Sequence, residues 1–216
     1  IYGRILNPAS KIATINQNNN YYSDVLKDVY EYNVYDTLSF LYDYKDKLIN
    51  WVNNRLINKF NRTTNVIYYD VTNFFFEIEE PDEGDDDLRK MGVSKEQRKQ
   101  PIVQIGLFMD EQGVPISIET FPGNTLDHLT LKQALNKTIK DLNLNKFILV
   151  GDRGMYRGDN SYYLTSRNNG YIISKSLEKT SKDEKEWALN NEGFTVISKD
   201  FKYKSRVIKR KVTVGD

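Results

Sequence analysis

The feature that most constrains the fold is a short apolar segment, Lys146-Phe147-Ile148-Leu149-Val150, which follows a helical pattern and ends in Gly151-Asp152-Arg153-Gly154. A continuous apolar run of that length is expected of a strand covered on both faces in a parallel arrangement. Just upstream, Leu131, Leu135, Ile139 and Leu142 mark one face of a helix. A strand reached through a helical crossover lies parallel to another strand of its sheet. Three further strands precede that helix. Val66 to Thr72 is β-rich and continues through Phe74-Phe75-Phe76, Ile102 to Met109 is the second, and Val114 to Phe121 is the third. Asp110-Glu111-Gln112-Gly113 reads as a hairpin connection between the second and third. In the third, Ile116 and Ile118 are expected to face one way and Ser117 and Glu119 the other. Pro122-Gly123-Asn124-Thr125 breaks it, and Thr125 or Asp127 is positioned to cap the helix. The expected fold class is α/β: a mixed sheet of three antiparallel strands, a crossover helix and a parallel fourth strand. If the fourth strand lies beside the first, Asp70 and Asp152 become neighbours.

The flanks have a different character. Residues 1–64 read as a helical segment upstream of the core. Tyr22, Val25, Leu26 and Val29 keep a helical spacing, as do Leu41, Leu48, Val52, Leu56 and Phe60, and such stripes are expected to be core faces. Residues 65–158 form the core, and 159–216 read as a β-rich appendage. There, Tyr162 to Asn168 is a short helix, and Tyr171–Ser174, Phe194–Ser198, Phe201–Ile208 and Lys211–Val214 are strands. The chain has 216 residues, begins at Ile1 and ends in a strand-like stretch, so the expectation is a fragment cut at both ends.

Residue usage narrows the chemistry. With no Cys, a disulfide scaffold, a Cys-based zinc site and a cysteine nucleophile are excluded. His128 is the only histidine, so it has no partner for a His-based metal cluster. No apolar run approaches the roughly 20 residues of a membrane span. Net charge is +1, which alone argues weakly against a nucleic-acid partner, but the charges are segregated. Residues 77–87 carry eight acids (Glu77, Glu79, Glu80, Asp82, Glu83, Asp85, Asp86, Asp87) and no base, and read as a solvated loop. Residues 199–211 carry seven bases (Lys199, Lys202, Lys204, Arg206, Lys209, Arg210, Lys211) against Asp200.

Asp70 lies in an otherwise apolar, aromatic strand and Asp152 directly after a buried one. Unpaired carboxylates in such positions are costly to desolvate, and ligation of a divalent cation relieves that cost. Mg²⁺ takes oxygen ligands and often only one or two carboxylates, with water and phosphate completing its shell. The plainer alternative is that Asp70 pairs locally and Asp152 opens a turn with Gly151 and Gly154. Spacing alone leaves both open.

Several longer motifs bear on that choice. Tyr68-Tyr69-Asp70-Val71-Thr72-Asn73, Asp87-Leu88-Arg89-Lys90-Met91-Gly92-Val93-Ser94-Lys95-Glu96, Pro101-Ile102-Val103-Gln104-Ile105-Gly106-Leu107, Phe121-Pro122-Gly123-Asn124-Thr125-Leu126-Asp127 and Val150-Gly151-Asp152-Arg153-Gly154-Met155 occur in that order. Together they resemble bacterial insertion-sequence DDE transposases, in the branch with a β-rich insertion in the catalytic domain. Arg4-Ile5-Leu6-Asn7-Pro8-Ala9-Ser10-Lys11 is similar to that family's region upstream of the core. The resemblance implies an RNase H-like core, with Asp70 and Asp152 as the first two acids of an Asp-Asp-Glu triad holding Mg²⁺ or Mn²⁺. It implies cleavage of double-stranded DNA at transposon ends and transfer to a target, with water attacking first and the freed 3′-hydroxyl next. A homodimer joining two ends, a cytoplasmic and nucleoid-associated location and the absence of a membrane partner are implied as well. The family's third acid sits in a Tyr-x2-Arg-x3-Glu pattern. No such pattern follows Asp152, and Glu178, Glu184, Glu186 and Glu192 lack its context.

Arg153 is a candidate phosphate contact. Lys202, Lys204 and Arg206 alternate with Tyr203, Ser205 and Val207, which would place cations on one strand face suited to the DNA backbone, joined by Lys209, Arg210 and Lys211. An edge strand protected by lysines fits the same pattern. Asn124 and Asp127 are expected to shape a turn, and His128 to start a helix at the surface. Two rival functions remain: a metal-dependent nuclease or resolvase of the same fold, and a catalytically dead transposase remnant that only binds DNA.

Overall fold

The computed structural model describes residues 2–17, 20, 28–85, 87–93, 99–209 and 211–212. Two compact units divide the chain at Arg55/Leu56. The first contains α1 (Tyr2–Leu6), α2 (Lys11–Asn16), α3 (Glu31–Asp43) and most of α4 (Lys45–Phe60). Ser10 starts α2 by accepting a hydrogen bond from the Ala13 amide at 3.1 Å, satisfying one of the donors a helix start leaves open. The stripe expected to be a core face is on these helices, but it is not buried. Leu48, Val52 and Phe60 are exposed, and among the described residues α3 buries none and α4 only Asn53. Helical spacing identifies the helix, whereas burial needs an opposing surface that spacing does not supply. Tyr22, Val25 and Leu26 lie outside the described residues.

The second unit is built on a five-stranded sheet of order β3-β2-β1-β4-β5. Its strands are β1 (Val66–Phe75), β2 (Ile102–Asp110), β3 (Pro115–Pro122), β4 (Ile148–Gly151) and β5 (Gly170–Ile173). β1 pairs antiparallel with β2, and β2 with β3, while β4 runs parallel to β1 and β5 parallel to β4. This is the mixed α/β sheet expected from the pattern of strands and crossover helix. Helix α5 (Asp127–Leu142) joins β3 to β4, and α6 (Gly158–Thr165) joins β4 to β5. One boundary moves: residues 159–173, assigned by sequence to the appendage, contribute α6 and a strand of the core sheet.

The core forms where alternate side chains of the sheet meet those helices. Ile67, Tyr69 and Val71 of β1, Phe108 of β2 and Leu149 of β4 pack with Leu131, Ala134 and Leu135 of α5 and with Tyr163 and Leu164 of α6. Ile139 and Leu142 complete the α5 face as partly buried neighbours. The other side of the pleat is open: Tyr68 and Phe74 of β1, Ile118 of β3, Ile148 of β4 and Ile172 of β5 are exposed. The continuous apolar run of β4 therefore overstates its burial, because it is covered on one face only.

β3 departs from strict alternation. Its register with β2 shifts between Phe108 and Met109, where Ser117 and then Pro115 are the paired residues. The intervening Ile116 turns into the core at 1% exposure, while Ile118 is exposed. A one-residue bulge reverses the faces that alternation predicts. The β2–β3 hairpin is fixed by Asp110, whose Oδ1 accepts from the amides of Gln112 (3.0 Å) and Val114 (2.9 Å). Its Oδ2 pairs with Arg62 Nε at 2.7 Å, both side chains being buried. Gly113, at φ 77°, supplies the left-handed turn residue.

Beyond the sheet lie α7 (Lys182–Leu189) and a small antiparallel pair, β6 (Thr195–Val196) and β7 (Lys202–Tyr203). The strands expected over 194–198 and 201–208 shrink to these two-residue pieces. Thr213 and Val214 of the last expected strand lie outside the described residues, and Lys211 and Val212 are not in a strand. The acidic stretch is more ordered by contacts than a solvated loop would be. Asp82 pairs with Arg89 (2.5 Å), and Lys90 Nζ donates to the carbonyls of Asp82 and Gly84 at 2.7 and 2.6 Å. The Arg89 hydrogen bond holds the Asp82 carboxyl below the usual carboxylate range. No helix among the described residues is long and apolar enough to cross a membrane.

Candidate functional site

Asp70 is the fifth residue of β1, between the buried Tyr69 and Val71, and therefore projects from the opposite, open face. Asp152 immediately follows β4 and caps a 3-10 turn, Arg153–Met155, by accepting a hydrogen bond from Gly154 N at 2.9 Å. Asp is suited to this place because its short carboxylate captures backbone amides that would otherwise continue the strand. The parallel pairing of β1 and β4 ends at Tyr69↔Gly151. Asp70 and Asp152 are the next residues along the chain on each side, so the two acids stand in step, Asp70 midway along β1 and Asp152 just past the end of β4. Both are exposed. The burial cost that drew attention to them in the sequence is therefore absent: a residue within an apolar strand is desolvated only if its own face of the sheet is covered.

A second feature, not visible in the sequence pattern, depends on the turn into α5. The N-cap residue is Leu126, rather than Thr125 or Asp127, and Asp127 opens the helix. A Cβ placed on Gly154 would lie 3.1 Å from Asp152 Oδ1 and 3.4 Å from Asp127 Oδ2, so these carboxylates flank the same glycine. Thr130, one turn into α5, donates to the Asp127 carbonyl at 2.6 Å and is hydrogen-bonded to the Tyr69 hydroxyl at 2.7 Å. That contact ties the strand bearing Asp70 to the helix bearing Asp127, and burial pushes the Tyr69 phenol upward. The clue in the sequence was the position of Asp127 at the end of Phe121-Pro122-Gly123-Asn124-Thr125-Leu126-Asp127, but turn chemistry explains an Asp there equally well. His128 beside it is half-buried, and burial, then the nearby Arg157, lowers its pKa.

The donor set around Asp70 and Asp152 is oxygen-only, which fits a hard cation holding one or two carboxylates and otherwise water or phosphate. Among the described residues, no group of three or more Asp, Glu or His side chains gathers at one point. The fit is thus to a partial site of two acids.

The basic residues fall into two classes. Lys204 and Arg206 are used internally. Lys204 Nζ donates to the carbonyls of Trp187 and Asn190 and stands 4.5 Å from the centroid of Phe194. Arg206 pairs with Asp183 at 2.8 Å and lies 4.7 Å from the Trp187 ring. The alternating cationic face expected over 202–206 does not form, because the strand ends at Tyr203 and the chain folds its cations onto the aromatic side of α7. Lys202, whose Nζ is 4.5 Å from the Phe194 centroid, is exposed, as are Arg153, Lys209 and Lys211. Arg210 lies outside the described residues. Arg206 and Lys211 also line an open cavity of about 1100 Å³ with Lys132 and Arg157.

No protein-family profile matches the chain, and no curated protein matches it. Among solved structures it is similar to the piggyBac transposase synaptic complex with hairpin DNA, at 11% identity over 62% of this chain and 29% of that chain, with a TM-score of 0.40. It is also similar to a pre-cleavage Mos1 transpososome, at 13% identity over 77% of this chain and 58% of that chain (TM-score 0.37). The catalytic domain of Mos1 mariner transposase is similar at 13% identity, covering 67% of each chain (TM-score 0.31). The chain spans less than two thirds of the piggyBac and transpososome chains.

Proposed function

We propose that this chain is part of the catalytic domain of a DDE-type DNA transposase of the insertion-sequence kind, acting on double-stranded DNA by metal-dependent phosphoryl transfer. The observation that carries the reading is the register of β1 and β4, which puts Asp70 and Asp152 one residue past the same pair, both exposed. The motifs around both acids, which resemble those of such transposases, support it. In this reading Asp70 and Asp152 hold Mg²⁺ or Mn²⁺, and Arg153 contacts a phosphate beside them. When bound, such ions activate an attacking oxygen and stabilise the leaving one at phosphorus. The two carboxylates would hold those ions beside the scissile phosphodiester and the attacking water, with Arg153 on the phosphate. A P–O bond forms to that water as the bond to the 3′-oxygen breaks, freeing a 3′-hydroxyl. That hydroxyl would then attack a target phosphodiester, forming a new P–O bond as the target's own bond to its 3′-oxygen breaks and that oxygen leaves as a hydroxyl. A homodimer would hold the two ends together.

Two carboxylates without a third acid hold a cation weakly, with a dissociation constant on the order of 10⁻³ M, the weak end for oxygen-ligand sites. Mn²⁺ titration of the 216-residue chain, followed by electron paramagnetic resonance, tests the site. Asp70→Asn and Asp152→Asn are each expected to weaken binding at least tenfold. Unchanged Mn²⁺ affinity in both variants would remove the metal-site reading. The chain alone is expected not to join DNA strands, and robust metal-dependent cleavage by it would show that the third acid is not needed.

A further inference from the structure

Helices α3 and α4 form almost one rod. α3 ends at Asp43 and α4 starts at Lys45. The Tyr44 amide donates to the Phe40 carbonyl at 3.2 Å and the Leu48 amide to the Tyr44 carbonyl at 2.9 Å, so the helical ladder runs through the joint. One side of the rod is half-buried at Val34, Leu41 and Ile49, and beside it Lys11 of α2 stands 5.4 Å from the Tyr35 ring centroid. The opposite side is open and aromatic: Phe40 is 57% exposed and Trp51 59%. The Phe40 and Tyr44 ring centroids are 4.6 Å apart, and Lys47 Nζ stands 5.0 Å from that of Tyr44, so this face continues across the joint. A run of exposed rings of this kind marks an interaction surface.

Symmetry and charge together specify what covers the face. Thr37, Phe40, Tyr44, Lys47, Trp51 and Asn54 follow one another in steps of three and four, the spacing of a seam between two long helices. They are also symmetric about the Lys45–Asp46 peptide bond: Tyr44 mirrors Lys47, Phe40 mirrors Trp51, and Thr37 mirrors Asn54. A two-fold interface brings residue i to j and j to i. Two identical rods laid antiparallel about that bond therefore set ring beside ring, Tyr44 beside a cation and Thr37 beside an amide. Charge agrees with that direction. α3 holds Glu31, Asp36 and Asp43 and no base, whereas α4 holds Lys45, Lys47, Arg55 and Lys59 against Asp46. Antiparallel rods set the acidic half of each copy on the basic half of the other, and parallel rods would set like on like. Asp43 and Lys47 lie towards one flank of the face, and neither has an ion-pair partner among the described residues of its own chain. A nucleic acid would find rings and cations here, but Asp36 and Asp43 beside them repel its phosphates.

We propose that this chain dimerises through α3 and α4, a second copy laying the same face antiparallel across the first. Phe40 packs beside Trp51 of the partner subunit, and Asp43 pairs with the partner's Lys47, each contact occurring twice by symmetry. The seam spacing sets a crossing angle of about 20°. The contact needs neither DNA nor metal, so it goes beyond the DNA-processing reading and stands independently of it.

The test is sedimentation velocity of the full chain without DNA or divalent metal. A concentration-dependent dimer is expected, and a chain that stays monomeric up to about 100 μM overturns the proposal. Asp43→Lys and Lys47→Asp are each expected to weaken self-association about tenfold, because each sets like charges together, and an equimolar mixture of the two variants is expected to restore it. Dimerisation unchanged in both variants, or not restored by mixing, overturns the pairing. The chain has no Cys, so one introduced cysteine carries one spin label. By the helical rise, labels on Tyr32→Cys should stand about 40 Å apart in the dimer and those on Leu48→Cys under about 20 Å. Equal separations at the two sites mean a parallel pair and overturn the geometry. A chain monomeric alone whose DNA binding is lost in Trp51→Ala assigns the face to nucleic acid instead. A dimer of this geometry that binds no DNA keeps the interface and removes the DNA-processing role, and a monomer that binds Mn²⁺ through Asp70 and Asp152 does the reverse.

Discussion

At the scale of single residues, hydrogen-bond direction decides how much a side chain matters. The Thr130 hydroxyl donates to the Asp127 carbonyl, so the buried Tyr69 hydroxyl must donate to Thr130. Tyr69→Phe removes one hydrogen bond and strands no donor, an expected cost of about 1 kcal/mol. Thr130→Val leaves the Tyr69 hydroxyl buried and unpaired, an expected cost of about 2 kcal/mol. Urea unfolding of the two variants checks the order, and an equal cost would mean the hydroxyl finds another partner. His128 gives a pH dependence with a definite sign. Burial and Arg157 depress its folded-state pKa below the ordinary 6.5, so the unfolded chain binds the proton first on acidification. Stability from the neutral imidazole is complete above pH 6.5 and is lost as pH falls through the folded-state value. The melting temperature is therefore expected to fall between pH 7 and 5.5, with a shallower slope in His128→Gln. The same scale shows what was legible beforehand. Asp70 and Asp152 stand out by their strand context as candidates, but the burial argument for them does not hold, because both are exposed. The approach of Asp127 to Asp152 was not legible, since it depends on a turn that no local pattern encodes.

Among the elements, the antiparallel first three strands and the parallel fourth followed from the sequence because they depend on period and connection length, which survive without tertiary detail, whereas the fifth strand of the sheet did not. Faces and extents did not follow. The bulge at Ile116, the shortening of β7 at Tyr203 and the exposed stripe on α4 are all set by what packs opposite. β1 and β2 offer one place where such opposition is readable. Gly106 pairs with Val71, and a Cβ there would stand 3.0 Å from Cε2 and Cζ of the Tyr69 ring. The tilted Tyr69–Phe108 pair, with centroids 4.4 Å apart, leaves that ring little room to shift. Glycine inside a strand marks such close approaches. Gly106→Ala is expected to cost about 1–3 kcal/mol by overpacking. Adding Tyr69→Leu should return part of that loss in a double-mutant cycle, and strictly additive costs would show that the ring is not the obstacle.

For the whole molecule, charge placement matters more than the net +1. The acidic stretch is partly neutralised within itself by Arg89 and Lys90, and the basic stretch is partly consumed by Trp187, Phe194 and Asp183. Cations engaged in this way are poorly placed for phosphates, because each contact they leave must be replaced. Lys209 and Lys211 are exposed and remain presentable to a DNA backbone. Neutralising a phosphate releases counterions, so each cation used in binding steepens the dependence of log K on log salt by about one unit. Lys209→Ala and Lys211→Ala are each expected to weaken duplex binding and to flatten that slope by about one, with thermal stability unchanged. Lys204→Ala is expected to act the other way: it frees the carbonyls of Trp187 and Asn190, lowers the melting temperature and alters Trp187 emission, while the slope stays near its starting value. Anisotropy titrations over a series of salt concentrations, paired with thermal melts, separate the two classes. A full unit lost from the slope in Lys204→Ala, with an unchanged melt, would mean that this lysine leaves its aromatic seat to bind DNA. The cationic face of the segment would then form only on the nucleic acid.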